Sequence, residues 1–157
     1  RGASSLAFDL GVLYKCEIND WEGAGWSVGL HVSNLGPKIN YLTSKDALPA
    51  TVKVGGAADL PFLQMHKLTL TADLGYRLSP ADVQALSVSA GAEYAWRELV
   101  MLRGGYHCGD KKKGDASYAT AGAGVEYAGV RLDFAWLFAG HEYLARNTFW
   151  VSLGYSF

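Results

Sequence analysis

Three regularities in the sequence predict an all-β protein built as one antiparallel, up-and-down sheet. Apolar residues recur at every second position through about nine successive segments, the period of a strand with one oily face. In each segment the ionisable side chains fall on the other parity. Turn-forming residues punctuate the segments at regular intervals, as in a meander.

The closing segment, 148–157, displays the pattern most plainly. Phe149, Val151, Leu153, Tyr155 and Phe157 alternate with Trp150, Ser152, Gly154 and Ser156. From the start, Leu6, Phe8, Leu10, Val12, Tyr14 and Cys16 form the apolar parity of a first strand, and Asp9 and Lys15 sit on the other. A turn is expected over 17–23. Trp26, Val28, Leu30 and Val32 then alternate with Gly25, Ser27, Gly29, His31 and Ser33. Residues 34–48 read as a longer loop, punctuated by Gly36-Pro37.

Pro49 is expected to open a third strand, where its missing N–H is tolerated. There Val52 and Val54 oppose Thr51, Lys53 and Asp59. A connection is expected through Pro61 and Phe62. The fourth strand sets Leu68, Leu70, Ala72, Leu74, Tyr76 and Leu78 against Lys67, Thr69, Thr71, Asp73, Gly75 and Arg77. Residues 79–84 have the polar start and early Pro of a turn or one short helical turn.

Leu86, Val88, Ala90, Ala92, Tyr94 and Trp96 follow opposite Glu93, and after a reversal near Arg97-Glu98 come Val100, Leu102, Gly104 and Tyr106 opposite Arg103 and His107. A basic, Gly-containing loop is expected over 108–117. The last strands place Ala119, Ala121, Ala123, Val125 and Tyr127 opposite Glu126, then Val130, Leu132, Phe134, Trp136 and Phe138 opposite Arg131 and Asp133. Ala128-Gly129 turns between them, and 139–147 loops into the closing strand.

Alternation alone also suits a soluble sandwich or lipocalin-like barrel with its apolar side inward. Strand length argues otherwise. Several segments alternate for about ten residues, near the 9–11 that cross a bilayer, where soluble strands average about five or six. Tyr14, Trp26, Tyr76, Tyr94, Trp96, Tyr106, Tyr127, Phe138 and Tyr155 cluster toward the ends of the apolar parity, like the aromatic girdles of a transmembrane β-barrel. The other parity holds Asp9, Lys15, His31, Lys53, Asp73, Arg77, Glu93, Arg103, Glu126, Arg131 and Asp133. Neither a dry core nor a lipid-facing surface accepts so many charges, whereas a wet lumen does. These eleven residues are therefore expected to face the lumen.

Composition narrows the function classes. The chain is half apolar, yet its mean hydropathy is +0.04, as expected when oil and water alternate. It carries 19 Gly, 9 Tyr and 5 Trp but only 4 Pro. A net charge of −1 gives no basic surface for nucleic acid. No apolar run is long enough for a transmembrane helix. His31, His66, His107 and His141 are isolated, and neither a Gly-x-Ser-x-Gly motif nor a Cys/His/Asn order occurs. Gly122-Ala-Gly124 lies inside a strand pattern and is no phosphate loop. No catalytic residue, cofactor or metal site is expected. Cys16 and Cys108 are too few for a disulfide framework or a zinc site.

An odd strand count does not close a regular antiparallel barrel, so strands before Arg1 are expected. A periplasmic end at Phe157 puts the loops at 34–48, 79–84, 108–117 and 139–147 outside the cell and the turns at 97–98 and 128–129 inside. Cys16 and Cys108 then stand a bilayer apart, beyond disulfide reach.

Three passages resemble a known family. They are Gly25-Trp-Ser-Val-Gly-Leu-His-Val-Ser-Asn-Leu-Gly-Pro-Lys-Ile-Asn-Tyr41 with Lys45-Asp-Ala-Leu-Pro-Ala-Thr-Val-Lys-Val-Gly55; Leu102-Arg-Gly-Gly-Tyr106 with Lys113-Gly-Asp and Tyr118-Ala-Thr-Ala-Gly-Ala-Gly-Val-Glu-Tyr127; and Val130-Arg-Leu-Asp-Phe-Ala-Trp136 with the strand ending at Phe157. Together they are similar to the PorV/PorQ family of the type IX secretion system, FadL-like outer-membrane barrels of Bacteroidota. The resemblance implies the C-terminal two thirds of a barrel of about fourteen strands. It implies a non-enzymatic role in protein transport, carrying secreted proteins, recognised by a C-terminal signal domain, from the translocon to the surface attachment complex. The alternatives are a FadL-like transporter of hydrophobic small molecules and a PorQ-like assembly barrel. Ile39, Tyr41 and Leu42 in the first long loop are the expected partner-contacting residues. Lys111, Lys112 and Lys113 are expected either to meet acidic cargo or lipopolysaccharide phosphates, or to be a solvated loop tip.

Overall fold

Period-2 alternation produces long strands, and the strands pair in chain order. The computed structural model describes residues 6–37, 39–40, 45–46, 48–140 and 148–156. They form β1 (Phe8–Glu17), β2 (Gly25–Leu35), β3 (Ile39–Asn40), β4 (Lys45–Asp46), β5 (Thr51–Phe62), β6 (His66–Arg77), β7 (Leu86–Trp96), β8 (Val100–Cys108), β9 (Tyr118–Tyr127), β10 (Val130–Ala139) and β11 (Thr148–Tyr155). Nine of these make one antiparallel up-and-down sheet in the order β1-β2-β5-β6-β7-β8-β9-β10-β11, and β3 pairs with β4 in a separate two-stranded ribbon. The sheet is open. Among the described residues β1 and β11 are its edges and do not pair with each other. The only helical pieces described are single 3₁₀ turns at Ala81–Val83 and Lys111–Lys113, so no helix is long and apolar enough to cross a membrane.

Register keeps the two faces of the sheet separate. Residues directly opposite in an antiparallel ladder project to the same side. One unbroken row runs Leu13, Gly29, Gly55, Asp73, Ser89, His107, Tyr118 across seven strands. Neighbouring rows carry Glu93 with Arg103 and Arg131 with Glu126 on that same face. The opposite face has rows such as Leu68 with Tyr94 and Leu102, or Val125 with Leu132 and Leu153. Among the described strand residues it carries no Asp, Glu, Lys or Arg.

The faces are also sheltered unequally, and in the opposite sense to a soluble protein. Leu153 and Tyr127 on the apolar face are 75% and 74% exposed, whereas Met101 and Leu137 on the polar face are 6% and 8% exposed. The sheet therefore curls toward its polar side. No described residue layers over the apolar one.

The ends of the sheet differ. Short connections at 18–24, 63–65, 97–99 and 128–129 gather at one end, and the strand ends that lead into the longer β2–β5, β6–β7, β8–β9 and β10–β11 connections lie at the other. Tight reversal demands left-handed backbone at paired positions, as in type I′ hairpins. Leu63-Gln64, Arg97-Glu98 and Ala128-Gly129 all take positive φ, between 50° and 79°. Cys16 lies by the short-turn end of β1 and Cys108 at the long-loop end of β8, both as free thiols.

Three boundaries depart from the alternation. Pro61 and Phe62 are not a connection: they continue β5, pairing with Lys67 and His66. The β2 ladder stops at Gly25 opposite Asp59, so Pro61 has a ladder neighbour on one side alone, a position where Pro is tolerated. Cys108 is the last residue of β8, opposite Val88, and does not open the loop. Asn34 does not begin a loop either, because β2 runs on to Leu35 through a register shift. Between the Leu10–Val32 and Phe8–Leu35 pairs β2 carries one residue more than β1. Asn34 takes left-handed backbone (φ 57°), and its N–H donates to Asp9 Oδ1 at 2.7 Å. The bulge changes the parity and returns Leu35 to the apolar face beside Phe8.

Candidate functional site

The polar face is the chemically furnished surface. Of the eleven residues expected there, Lys15, His31, Lys53, Asp73, Arg77, Glu93, Arg103, Glu126, Arg131 and Asp133 occupy its rows, and Asp9 lies in the β1–β2 register shift, where it accepts from the Asn34 N–H. Most are drawn into two clusters and one cationic margin.

The first cluster spans β7 to β10. Arg103 Nε donates to Glu93 Oε2, the residue directly opposite it on β7. Its Nη1 reaches in the other direction to Asp133 Oδ1 at 2.5 Å, two strands away on β10. That reach crosses β9 where β9 has glycine. A Cβ at Gly124 would lie 2.5 Å from Asp133 Oδ1 and 3.4 Å from Arg103 Nη1, so only a bare backbone leaves room for the bridge. Arg131 Nε donates to Asp133 Oδ2 at 2.7 Å, and its Nη1 stands 3.6 Å from Glu126 Oε2. Two arginines and three carboxylates thus tie four strands together with their charges nearly balanced. Arg103 and Asp133 are three-tenths and about one-fifth exposed, so water screens the pairs only partly. A smaller pair, Lys67 with Asp59 at 3.7 Å, is buttressed by Thr69 Oγ1 donating to Asp59 at 2.6 Å.

The second cluster pins the loop after β8. His107 Nδ1 lies 3.0 Å from Ser89 Oγ, its cross-strand partner, and His107 Nε2 lies 3.0 Å from Asp115 Oδ1 in the loop. Tyr118 stacks on the imidazole at 4.8 Å. Arg77 Nη1 donates to the Lys113 carbonyl at 3.2 Å, and Ser117 Oγ accepts from the Gly109 N–H at 3.2 Å. The loop is therefore folded in over the polar face. The serine, histidine and aspartate form a latch: the carboxylate belongs to the segment being held, and Asp73, opposite Ser89 on the other side, would oppose an oxyanion forming there. Sequence reading missed Ser89 and Asp115, because nothing in their spacing shows that they share an imidazole.

The loop's 3₁₀ turn is made by Asp110, whose side chain accepts from the Lys112 N–H at 3.0 Å, and by left-handed Gly114. Three successive residues on such a turn radiate in different directions, so Lys111, Lys112 and Lys113 form a diffuse cationic knob. Of the other partner-contacting candidates, Ile39 contributes its backbone to β3 opposite Asp46. Its side chain, Tyr41 and Leu42 lie outside the described residues.

On the apolar face the aromatic rings expected near the ends are where the alternation puts them. Tyr14 meets Trp26 at 5.6 Å. Near the short turns His66 Nδ1 and Tyr94 OH share a hydrogen bond of 2.6 Å beside Phe62, and Arg97 lies 5.8 Å over the Trp96 ring. Among the described residues no group of three or more His, Cys, Asp or Glu is placed to hold a metal.

No protein-family model matches the chain, and no curated protein matches it.

Proposed function

We propose that this sheet is a wall section of an outer-membrane transmembrane β-barrel, FadL-like and of about fourteen strands, that serves protein secretion through the type IX system. The apolar face meets lipid and the polar face lines a wet lumen. The long loops open to the outside of the cell, where lipopolysaccharide is the neighbour, and the short turns and the C-terminal end of the closing strand face the periplasm. The barrel binds secreted proteins through their C-terminal signal domain and passes them from the translocon to the attachment complex, without chemistry of its own.

One observation carries the membrane reading: every described Asp, Glu, Lys and Arg of the nine ladder strands shares one face, and between the edge strands that face is the more sheltered one. A soluble sheet of this composition would bury the other side. An exposed apolar surface of this extent is what a nonpolar solvent would cover. The secretion role is supported by the resemblance of Gly25 to Tyr41 with Lys45 to Gly55, of Leu102 to Tyr106 with Lys113 to Asp115 and Tyr118 to Tyr127, and of Val130 to Trp136 with the strand ending at Phe157, to the PorV/PorQ family.

Two experiments test these layers separately. The purified full-length chain should stay monodisperse in detergent and aggregate on its removal; a monodisperse protein in plain buffer refutes the barrel. Affinity purification from detergent-solubilised outer membranes should recover proteins sharing a C-terminal domain. Deleting residues 36–48, which leaves β2 whole, should abolish that recovery while the barrel still assembles, and unchanged recovery removes the loop from the docking surface. Recovery of attachment proteins without cargo marks the PorQ-like assembly role, and recovery of lipid alone marks the transporter.

A further inference from the structure

The polar face has a hollow at its β1–β2–β5 end, and glycine makes it. Gly29 and Gly55 stand directly opposite each other and form its floor. One row toward the long loops, His31 and Lys53 also face each other, yet they splay apart. His31 Cδ2 lies 3.5 Å from where Gly11 would carry a Cβ, and Lys53 Cγ and Cε run 3.5 and 3.6 Å from the same point on Gly75. Four glycines therefore act together, two baring the floor and two letting the flanking side chains lie flat. The hollow measures about 430 Å³, and Leu13, Ser27 and Ala57 complete its lining.

Charge separates this hollow from the rest of the face. Arg103 and Arg131 are neutralised by carboxylates. Among the described residues Lys53 and His31 have no hydrogen-bond or ion-pair partner, nor does Lys15, which stands across from Ser27. Asp73, beyond Gly55 on β6, is the adjoining carboxylate and does not line the hollow. The lining therefore carries one unpaired ammonium, Lys53, and no carboxylate around a flat, nearly apolar floor, with Lys15 and Asp73 both outside it. The lining spans three strands, about 10 Å across at about 4.8 Å per strand, and residues 53 to 57 along one strand, about 13 Å at 3.3 Å each. That footprint suits a ring system, not an extended chain.

We infer that the hollow binds a compact, ring-bearing anion, an aryl carboxylate or aryl phosphate. The ring lies on the Gly29 and Gly55 peptides, and the anion is met by the Lys53 ammonium at one flank of the floor, with the His31 imidazole at the opposite flank. This goes beyond the secretion reading and does not depend on it, since the hollow is on the polar side whatever solvent covers the other.

The test is direct binding of 1-naphthoate and 1-naphthyl phosphate to the full-length chain in detergent micelles, followed by probe fluorescence, with 1-naphthalenemethanol as the neutral analogue. At least one anion should bind, the neutral analogue about tenfold or more weaker, and Lys53→Gln should weaken the anion about tenfold while leaving the neutral analogue unchanged. Which anion binds tighter identifies the ligand class. Gly29→Val, whose Cβ has 3.4 Å to Leu13 Cδ1, should fill the hollow and abolish binding. Gly154→Val, on the same face with nothing within 4 Å of its Cβ, should not. Heat-modifiable gel migration reports folding of each variant, and Lys53→Gln decides alone if Gly29→Val does not fold. Absence of binding by both anions, or binding equal in wild type and Lys53→Gln, overturns the proposal.

Discussion

Leu70→Arg separates a lipid-facing sheet from a water-facing one. Leu70 projects from the apolar face of β6, flanked in its row by Ala58 and Ala92, and is 43% exposed. It lies four residues from His66, about 13 Å along the strand at about 3.3 Å per residue. With strands tilted by about 40°, that is about 10 Å along the bilayer normal, close to the middle of an apolar band about 25 Å tall. An arginine there should cost about 2–4 kcal/mol in lipid. A solvent-exposed Leu→Arg should change stability by about 0.5 kcal/mol or less. The neighbouring Thr71→Arg, on the polar face, should cost less than about 1 kcal/mol. Reversible urea unfolding of the full-length chain in lipid vesicles, followed by tryptophan fluorescence, measures both. The difference amounts to about a hundredfold in the folded-to-unfolded ratio. A Leu70→Arg protein within about 0.5 kcal/mol of wild type, or a Thr71→Arg protein more damaged than it, refutes the assignment of the faces.

Three further outcomes are expected. Arg103→Ala leaves Glu93 and Asp133 without their shared cation and should cost about 1–3 kcal/mol in the same unfolding assay; Gly124→Ala, which obstructs the bridge over β9, should remove a similar amount, and the double variant should fall short of the sum. Additivity would mean that the glycine does not clear the path. Glu98→Gly relieves a non-glycine residue held at φ 57° and should stabilise by about 0.5–1 kcal/mol, read as a higher urea midpoint with an unchanged slope; a lower midpoint contradicts the turn geometry. In a chain with Cys16→Ser and Cys108→Ser, Lys112→Cys should react with a membrane-impermeant maleimide on intact cells, whereas Ala128→Cys should react only after the outer membrane is opened. The reverse pattern inverts the proposed orientation.

The nine long strands, their order and the face that most of their residues occupy are written into the sequence. A strand in an environment divided between two solvents must alternate, and a charge on the wrong parity is costly, so Asp73, Glu93 and Arg131 already mark one face before any partner is known. Turn positions at Arg97-Glu98 and Ala128-Gly129 are legible for a related reason, because alternation stops there. What parity leaves open is which residue lies opposite. Tertiary structure alone decided that Ser89 faces His107, that Asp115 returns to the same imidazole, and that Arg103 crosses β9 at Gly124 to reach Asp133. It also decided that Asn34 absorbs an extra residue so that Leu35 rejoins the oily face, and that Pro61 remains in β5 because β2 has already ended. A period of two fixes the side of the sheet on which a residue lies, whereas its neighbours depend on ladder register, which is set jointly by two strands and the connection between them.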